Sequence, residues 1–299
     1  MCIAAYDDAM NAPHAATPEI VFRPNESRPA LGLGTWRLGE GRSRREAEVV
    51  LLRGAFEAGW RVVDTAEMYG DGGAEEVTGL ALSGALREGL GRSDFFVVSK
   101  VLPSHADELG VVAACERSLR RLQLDSLDLY LLHWRGSVPL ADTVRGFEQL
   151  QQRGLIRLWG VSNFDRDDLH ELTKVPGGTA CAANQVYHSM SERGAEFELL
   201  PWQRAQQMPL LADSPFDQGG LVDHPLLRPL AQRHHATPAQ VVLAWLLQQP
   251  GVMAIPKASS AEHLRQNWAA QQLRLSVGDL AEIDRLFPPP RRKQALAMR

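Results

Sequence analysis

Eight times the chain repeats one theme: a short apolar run, a loop, then a stretch whose apolar residues recur at helical spacing. The runs are ALGLG (30–34), RVVD (61–64), FFVVSK (95–100), LDLYLLH (127–133), IRLWGVS (156–162), CAANQV (181–186), MPLLAD (208–213) and GVMAIPK (251–257). Several lack the apolar–polar alternation of a half-exposed strand, as expected of strands buried on both faces of a parallel sheet.

The intervening stretches carry helix signals. SRREAEVVLLRGAFEAG opens with Ser43 as N-cap and Glu46 as its capping-box partner, and TPAQVVLAWLLQQPG opens with Thr237 and Pro238 in the N-cap and N1 positions. Alternating strands and helices imply parallel pairing and right-handed crossovers. Eight such units in 299 residues predict a (β/α)8 barrel. Ahead of them, EIVFRPNESRPALGLGTW reads as a strand, a turn at RPNESRP and a second strand ending at Gly34, a pair placed to cap the barrel floor. The expected organisation is a flexible leader over 1–17, one barrel domain over 18–287 and a basic tail, solvated or loosely docked, over 288–299. The alternative is a doubly wound open sheet, which would more naturally carry GxGxxG after its first strand. GLGTWR has arginine where the third glycine belongs.

Composition narrows the function classes. A net charge of −4 leaves no electrostatic footprint for nucleic acid, and no uninterrupted apolar window is long enough to span a bilayer. The N-terminus lacks the basic region of a signal peptide. Three cysteines (Cys2, Cys115, Cys181) form no CxxC pair, and Cys115 in a helix-like stretch and Cys181 in an apolar run read as buried free thiols of a protein from a reducing cytoplasm.

Barrel enzymes gather their chemistry where strands meet the helices that follow. Here those ends present Asp64, Lys100, His133, Ser162 with Asn163, Gln185, Asp213 with Ser214, and Lys257, while Tyr69 lies in the loop after Asp64. Taken singly, each has an ordinary role: the aspartate as turn residue, the lysine snorkelling to solvent, the histidine as a satisfied structural group, the phenol as loop packing. Together they place a carboxylate, an ammonium, a phenol and an imidazole on one face. A nearby Lys⁺ favours phenolate and so makes a phenol a better acid. Asp64 holds Lys100 charged and fixes its direction, and His133 can bond a substrate oxygen, orienting it or sharing in proton transfer. Such a set can protonate an oxyanion forming on a carbonyl. It includes no evident nucleophile for acyl transfer.

These residues sit in motifs that, in order and spacing, resemble the aldo-keto reductases: GLGTW, VVDTAEMYG, VVSKV, LYLLHW, GVSNF, NQVYH, SPFDQGGL and IPKASSAEHLRQN, spanning about residues 18 to 287. The bacterial branch acting on small aldehydes, with methylglyoxal reductase-like members, is the most similar. The resemblance implies metal-independent, NADPH-dependent reduction of aldehydes or ketones by a cytoplasmic, commonly monomeric enzyme, with NADH a weaker alternative. It implies Tyr69 as general acid, Lys100 and Asp64 as its pKa-lowering pair, and His133 as the group orienting the carbonyl. It also implies a cofactor site of Thr35, Trp36, Asp64, Ser162, Asn163, Gln185, Asp213, Ser214, Lys257, Ser259, His263 and Asn267. Within that site Ser162, Asn163 and Gln185 hold the nicotinamide carboxamide, Lys257 and Ser259 the 2′-phosphate, and Asn267 the adenine end. Trp36, Trp134 and Phe164 would line the substrate mouth.

Two positions depart from the family pattern. His263 stands where an arginine is common, and a histidine is neither reliably charged nor forked. Arg265 would compensate only by turning inward. Asp213 stands where a tyrosine usually stacks on the nicotinamide, and a carboxylate there cannot stack but would favour the cationic oxidised ring. Phe216 is a candidate apolar lid. Two competing readings follow: a cofactor-binding regulatory subunit with little turnover, supported only by Asp213, and a metal-dependent hydrolase using Asp64 and His133. No HxH, HExxH or comparable ligand cluster is present for the second.

Overall fold

In the computed structural model, which describes residues 18–23 and 26–298, the eight apolar runs become eight parallel strands of one sheet. The leader expected over 1–17, with Cys2, lies outside the described residues. An antiparallel pair, β1 (Glu19–Arg23) and β2 (Glu26–Pro29), comes first. It is followed by β3 (Leu33–Gly34), α1 (Arg45–Glu57), β4 (Val62–Asp64), α2 (Gly73–Arg87), β5 (Phe96–Val101), α3 (Glu108–Leu122), β6 (Leu127–Leu132) and α4 (Leu140–Gln152). Then come β7 (Ile156–Ser162), α5 (Arg166–Leu172), β8 (Asn184–Tyr187), α6 (Leu199–Ala205) and β9 (Leu210–Asp213). The order ends with α7 (Arg228–Arg233), α8 (Pro238–Leu247), β10 (Val252–Ala254), α9 (Ala261–Ala269) and α10 (Val277–Leu286).

Strands β3 to β10 pair in sequence order, and the first meets the last. Gly32 N–H donates to Ala254 O at 2.9 Å, Ala254 N–H to Ala30 O at 2.8 Å and Gly34 N–H to Pro256 O at 2.9 Å, closing the (β/α)8 barrel. Every residue of β5 and β6 is buried, which explains the absence of alternation: one face fills the barrel, the other packs under helices. Gly160 in β7 is required by this packing, because a Cβ there would lie 2.4 Å from Ala183 O beside β8.

Local sequence accounts for most helix starts. Thr237 Oγ1 accepts from Gln240 N–H at 3.2 Å while Gln240 Oε1 accepts from Thr237 N–H at 2.8 Å, a complete capping box behind Pro238. Asp165 and Asp168 form the equivalent box on α5. The box expected at Ser43 and Glu46 does not form. Arg42–Arg44 make a single 3-10 turn, α1 begins at Arg45, and its N-cap Arg44 offers no side-chain bond. The carboxylate that acts here is Glu48, which accepts from Gly39 N–H at 2.8 Å.

A second correction concerns the entry hairpin. Its return strand β2 lies inside the stretch expected to be a turn, held by Ser27 Oγ donating to Glu19 Oε2 at 2.7 Å. Phe22 packs on Phe96, the first residue of β5, at 4.8 Å between ring centroids, and Arg157 of β7 pairs with Glu26 at 2.7 Å. The hairpin therefore covers the end of the barrel where strands begin. Cys115 and Cys181 are buried free thiols, with burial pushing both up and Cys181 to about 12. Among the described residues no helix is long and apolar enough to cross a membrane.

Candidate active site

The opposite end of the barrel opens into a cleft of about 680 Å3, lined by Asp64, Tyr69, His133 and Asp213 at its centre. Asp64 arrives as the last residue of β4, and Lys100 comes from the next-to-last position of β5. Lys100 Nζ lies 2.9 and 2.8 Å from the two Asp64 oxygens, 2.9 Å from Thr65 O and 3.2 Å from Tyr69 Oη. Gln185 Nε2 donates to Asp64 Oδ1 at 2.8 Å.

The loop that returns Tyr69 to this ammonium is fixed on both sides. Gly70 (φ +60°) and Gly73 press against the segment around Leu38–Glu40, and a Cβ on Gly73 would lie 2.4 Å from Gly39 O. Glu67 accepts from Leu102 N–H at 2.9 Å and pairs with His105 and Arg117. Glu75, fully buried, accepts from Ser99 Oγ and Arg121 Nε, each at 2.6 Å. Both carboxylates tie the loop to β5 and α3, so the phenol is held by packing and by ionic bonds that the sequence motif alone does not display.

Electrostatics modify the expected acid. Burial pushes Tyr69 up, opposed by Lys100, while Asp64 and Asp213 add to the rise, and the phenol ends at about 12. Lys100 lowers the phenol as expected, limiting a rise caused by desolvation, whereas Asp64, expected to share in that lowering, adds to the rise and acts only by holding the ammonium. An alkoxide is a stronger base than a phenolate even so, which leaves proton transfer to a reduced carbonyl downhill. Burial, then the Lys100 charge, lowers His133 to about 2, so its imidazole is neutral at working pH. A neutral imidazole can donate a hydrogen bond to a carbonyl oxygen but holds no spare proton, which favours the orienting role over shared proton transfer. Its Nδ1 is shielded and has no partner among the described residues. The Lys100 ammonium is favoured by Asp64 and Tyr69 against burial and stays protonated.

The expected cofactor and substrate residues divide into two sets. Trp36, Asn163, Asp213, Ser214, Lys257, Ser259 and His263 line the cleft with Trp134 and Phe216. Thr35, Ser162 and Gln185 are buried just beneath it; Thr35 Oγ1 donates to Asp64 O at 3.0 Å, and Asn163 Nδ2 to His133 O at 3.0 Å and Ser162 Oγ at 3.2 Å. Asn267 is 3% exposed with Nδ2 unpartnered. Phe164 is a correction: it is fully buried and does not reach the mouth. Asn163 takes a left-handed φ of 59°, which turns the chain, and Asn184 Nδ2 then fixes Phe164 O at 2.9 Å. Arg265 points along its own helix to Glu262, and Arg135 pairs with Glu171 and Asp168, so neither faces the cleft.

Several lining residues were not anticipated. Arg37, whose guanidinium sits 4.3 Å over the Trp36 ring, and Tyr187, two residues after Gln185 on β8, had a readable signal in their spacing from named neighbours. Met298 had none. The tail bearing it is docked by Lys293, which pairs with Asp167 at 2.7 Å and Glu198 at 2.9 Å.

Comparison with known proteins agrees with this geometry. The Aldo/keto reductase family model matches residues 30–287. The methylglyoxal reductase YeaE of Escherichia coli (strain K12) is 48% identical over 284 residues, covering 93% of this chain and 98% of that protein. The glyoxal reductase of Bacillus subtilis (strain 168) is 37% identical over 258 residues, covering 86% and 88%. An aldo-keto reductase from Klebsiella pneumoniae solved in complex with NADPH superposes with a TM-score of 0.90 at 46% identity, covering 95% of this chain and all (100%) of that one.

Proposed function

Because this chain belongs to the aldo/keto reductase family, we propose that it reduces small aldehydes, 2-oxoaldehydes such as methylglyoxal foremost, to the corresponding alcohols. The chain is an NADPH-dependent carbonyl reductase. What carries the more specific reading is one observation. A buried ammonium, Lys100, bonds both oxygens of Asp64 and the Tyr69 hydroxyl at the floor of a cleft walled by Trp36 and Trp134.

The cleft suits a phosphorylated dinucleotide. Lys257 makes no hydrogen bond or ion pair among the described residues, and burial lowers its pKa with only longer-range attraction from Glu48 and Glu40 against it. A phosphate would supply the missing counter-charge. Asn267 Nδ2 and Asp213 Oδ1 are buried polar atoms that also await partners. Lys257 and Ser259 would hold the 2′-phosphate, Asn267 the adenine end, and Asn163 the carboxamide, with Ser162 and Gln185 bracing that region from below. Bound there, NADPH supplies the hydride.

The protein's own part is position and protons. His133 donates a hydrogen bond to the carbonyl oxygen and fixes its direction. Tyr69 Oη gives up its proton to the oxygen as negative charge develops on it. Lys100 stabilises the phenolate left behind, and Asp64 keeps that ammonium in place against the cost of burial. Trp36 and Trp134 exclude water and present an apolar wall, which suits a small uncharged carbonyl. A monomeric cytoplasmic enzyme is the accompanying reading, its compartment supported by two free buried thiols.

Loss of NADPH absorbance with methylglyoxal, in wild type and Tyr69→Phe, tests the proposal. Metal-independent turnover that collapses in the variant is the expected result. Wild-type protein that binds NADPH tightly yet turns over no member of a broad carbonyl panel would overturn it in favour of a regulatory role.

A further inference from the structure

Among the described residues, one carboxylate lining the cleft has an oxygen that no hydrogen bond satisfies. Asp213 is the last residue of β9, in register with Tyr187 of β8, and its side chain lines the cavity that Tyr69 and His133 also line. Its Oδ1 is shielded from solvent and has no hydrogen-bond partner among the described residues. The ammonium that acts on it electrostatically is already engaged: Lys100 is held by Asp64, Thr65 O and Tyr69. Asp213 and Tyr69 nevertheless feel each other electrostatically, as do Asp213 and both members of the Lys100–Asp64 pair. A buried acceptor left unpaired is costly and is expected to find a complement in whatever fills the cavity.

Carbonyl substrates and their alcohols are neutral. The one cleft occupant whose charge changes during the reaction is the cofactor: its ring is neutral when reduced and carries a positive charge when oxidised. We propose that Asp213 is a redox-state selector, its carboxylate holding the oxidised cofactor more tightly than the reduced one and so retaining the product cofactor after each reduction. This rests on the reading that the nicotinamide lies between Tyr69 and the end of β9.

Proton binding at Asp213 makes the effect tunable. Burial raises its carboxyl to about 7, with Lys100 opposing and Asp64 adding to the rise. Around it stand Asp64 of β4, Tyr69, Lys100 of β5, His133 after β6 and Tyr187 of β8; Arg37, Lys257 and His263 line the same cleft. Tyr69 at about 12 and His133 at about 2 do not change charge across the interval from about pH 5.5 to about pH 8.5. Contacts to the 2′-phosphate, including any from Lys257 or His263, are common to both redox states and cancel in the ratio of affinities.

The test is that ratio. Dissociation constants of NADP+ and NADPH, read by quenching of tryptophan fluorescence, are measured at pH 8.5 and 5.5 for wild type, Asp213→Asn and Asp213→Ser. At pH 8.5 the preference for NADP+ over NADPH should fall about tenfold or more in both variants, the factor that one close opposite charge typically contributes in a shielded site. At pH 5.5, where the wild-type carboxyl is protonated, the three proteins should converge. A wild-type ratio that both variants match within about twofold at pH 8.5, while both cofactors still bind, overturns the selector and leaves the cofactor site standing. Failure of wild type to bind either cofactor overturns the reading of the cleft and the selector with it.

Discussion

Lys100 places its ammonium against both carboxylate oxygens of Asp64, at 2.9 and 2.8 Å, with neither side chain more than 4% exposed. A charge buried this deeply is tolerated only with its counter-charge, and removing one partner typically costs about 3–5 kcal/mol. Asp64→Asn should therefore lower both stability and turnover, because it leaves an ammonium in the barrel with only neutral partners. Asp64→Asn combined with Lys100→Met should be less destabilised than the sum of the single changes, which urea unfolding followed by circular dichroism would read. Additive losses would mean that the pair is not coupled in the fold.

Tyr69→Phe removes one oxygen and leaves the ring against Lys100, at 4.8 Å from its centroid, and edge-on to His133. Stability should change little. Turnover should fall by about 10²–10⁴, the usual contribution of a positioned general acid, while NADPH binding persists. Single-turnover measurements in place of steady-state ones would show the loss in the chemical step.

His133 at about 2 and Tyr69 at about 12 bracket the physiological range. The rate of the chemical step should then show no limb from either group between pH 5 and 8. A fall centred near the ordinary histidine value of about 6.5 that persists in Asp213→Asn, whose wild-type carboxyl titrates at about 7, would mean that the imidazole gains solvent in solution. A His133→Gln variant, which keeps a hydrogen-bond donor, should retain more activity than His133→Leu.

The difference between what the sequence showed and what it hid follows the reach of the interactions. Run 156–162 matches strand β7 (Ile156–Ser162) residue for residue, and Asp64 ends β4; Lys100 falls one residue short of the end of β5, and His133 and Lys257 fall after β6 and β10, so these positions were legible to within a few residues because strand geometry is local. The strand ALGLG shrank to Leu33–Gly34, since its earlier residues bridge to β10 only at Leu31 to close the barrel, a pairing set by the far end of the chain. Phe164 was misplaced because one left-handed residue, Asn163, redirects the chain just after β7. Met298 depends on Lys293 reaching carboxylates on two separate segments, which no local pattern records. Asp213 stood out in the motif, but its missing partner is a property of the folded cavity.

Cofactor preference offers a gain-of-function test. His263 is exposed and rests 3.4 Å from Ser259 Oγ, beside the otherwise unpaired Lys257. An arginine at this place would bring a permanent charge and a forked donor set to a phosphate. His263→Arg should tighten NADPH binding by about tenfold or less and leave NADH nearly unchanged. Lys257→Met should do the opposite, weakening NADPH by about tenfold or more while sparing NADH. Equal effects on both dinucleotides would place the 2′-phosphate elsewhere.

Asp213 also makes a prediction about folding that needs no ligand. Its carboxyl binds a proton more tightly in the folded protein, at about 7, than in an unfolded chain near the ordinary value of about 3.9. Between those values the folded state keeps a proton that the unfolded state has lost, so this group's contribution makes stability fall as pH rises from about 4 to 7 and level off above. At about 1.36 kcal/mol for each tenfold in proton affinity, the ceiling is about 4 kcal/mol, and water entering the cleft will reduce it. Asp213→Asn should accordingly be more stable than wild type at pH 8 and indistinguishable from it near pH 4. Thermal denaturation of the cofactor-free proteins across that range checks the sign. Wild type outlasting the variant at pH 8 would mean that the folded state gives the carboxylate a partner after all.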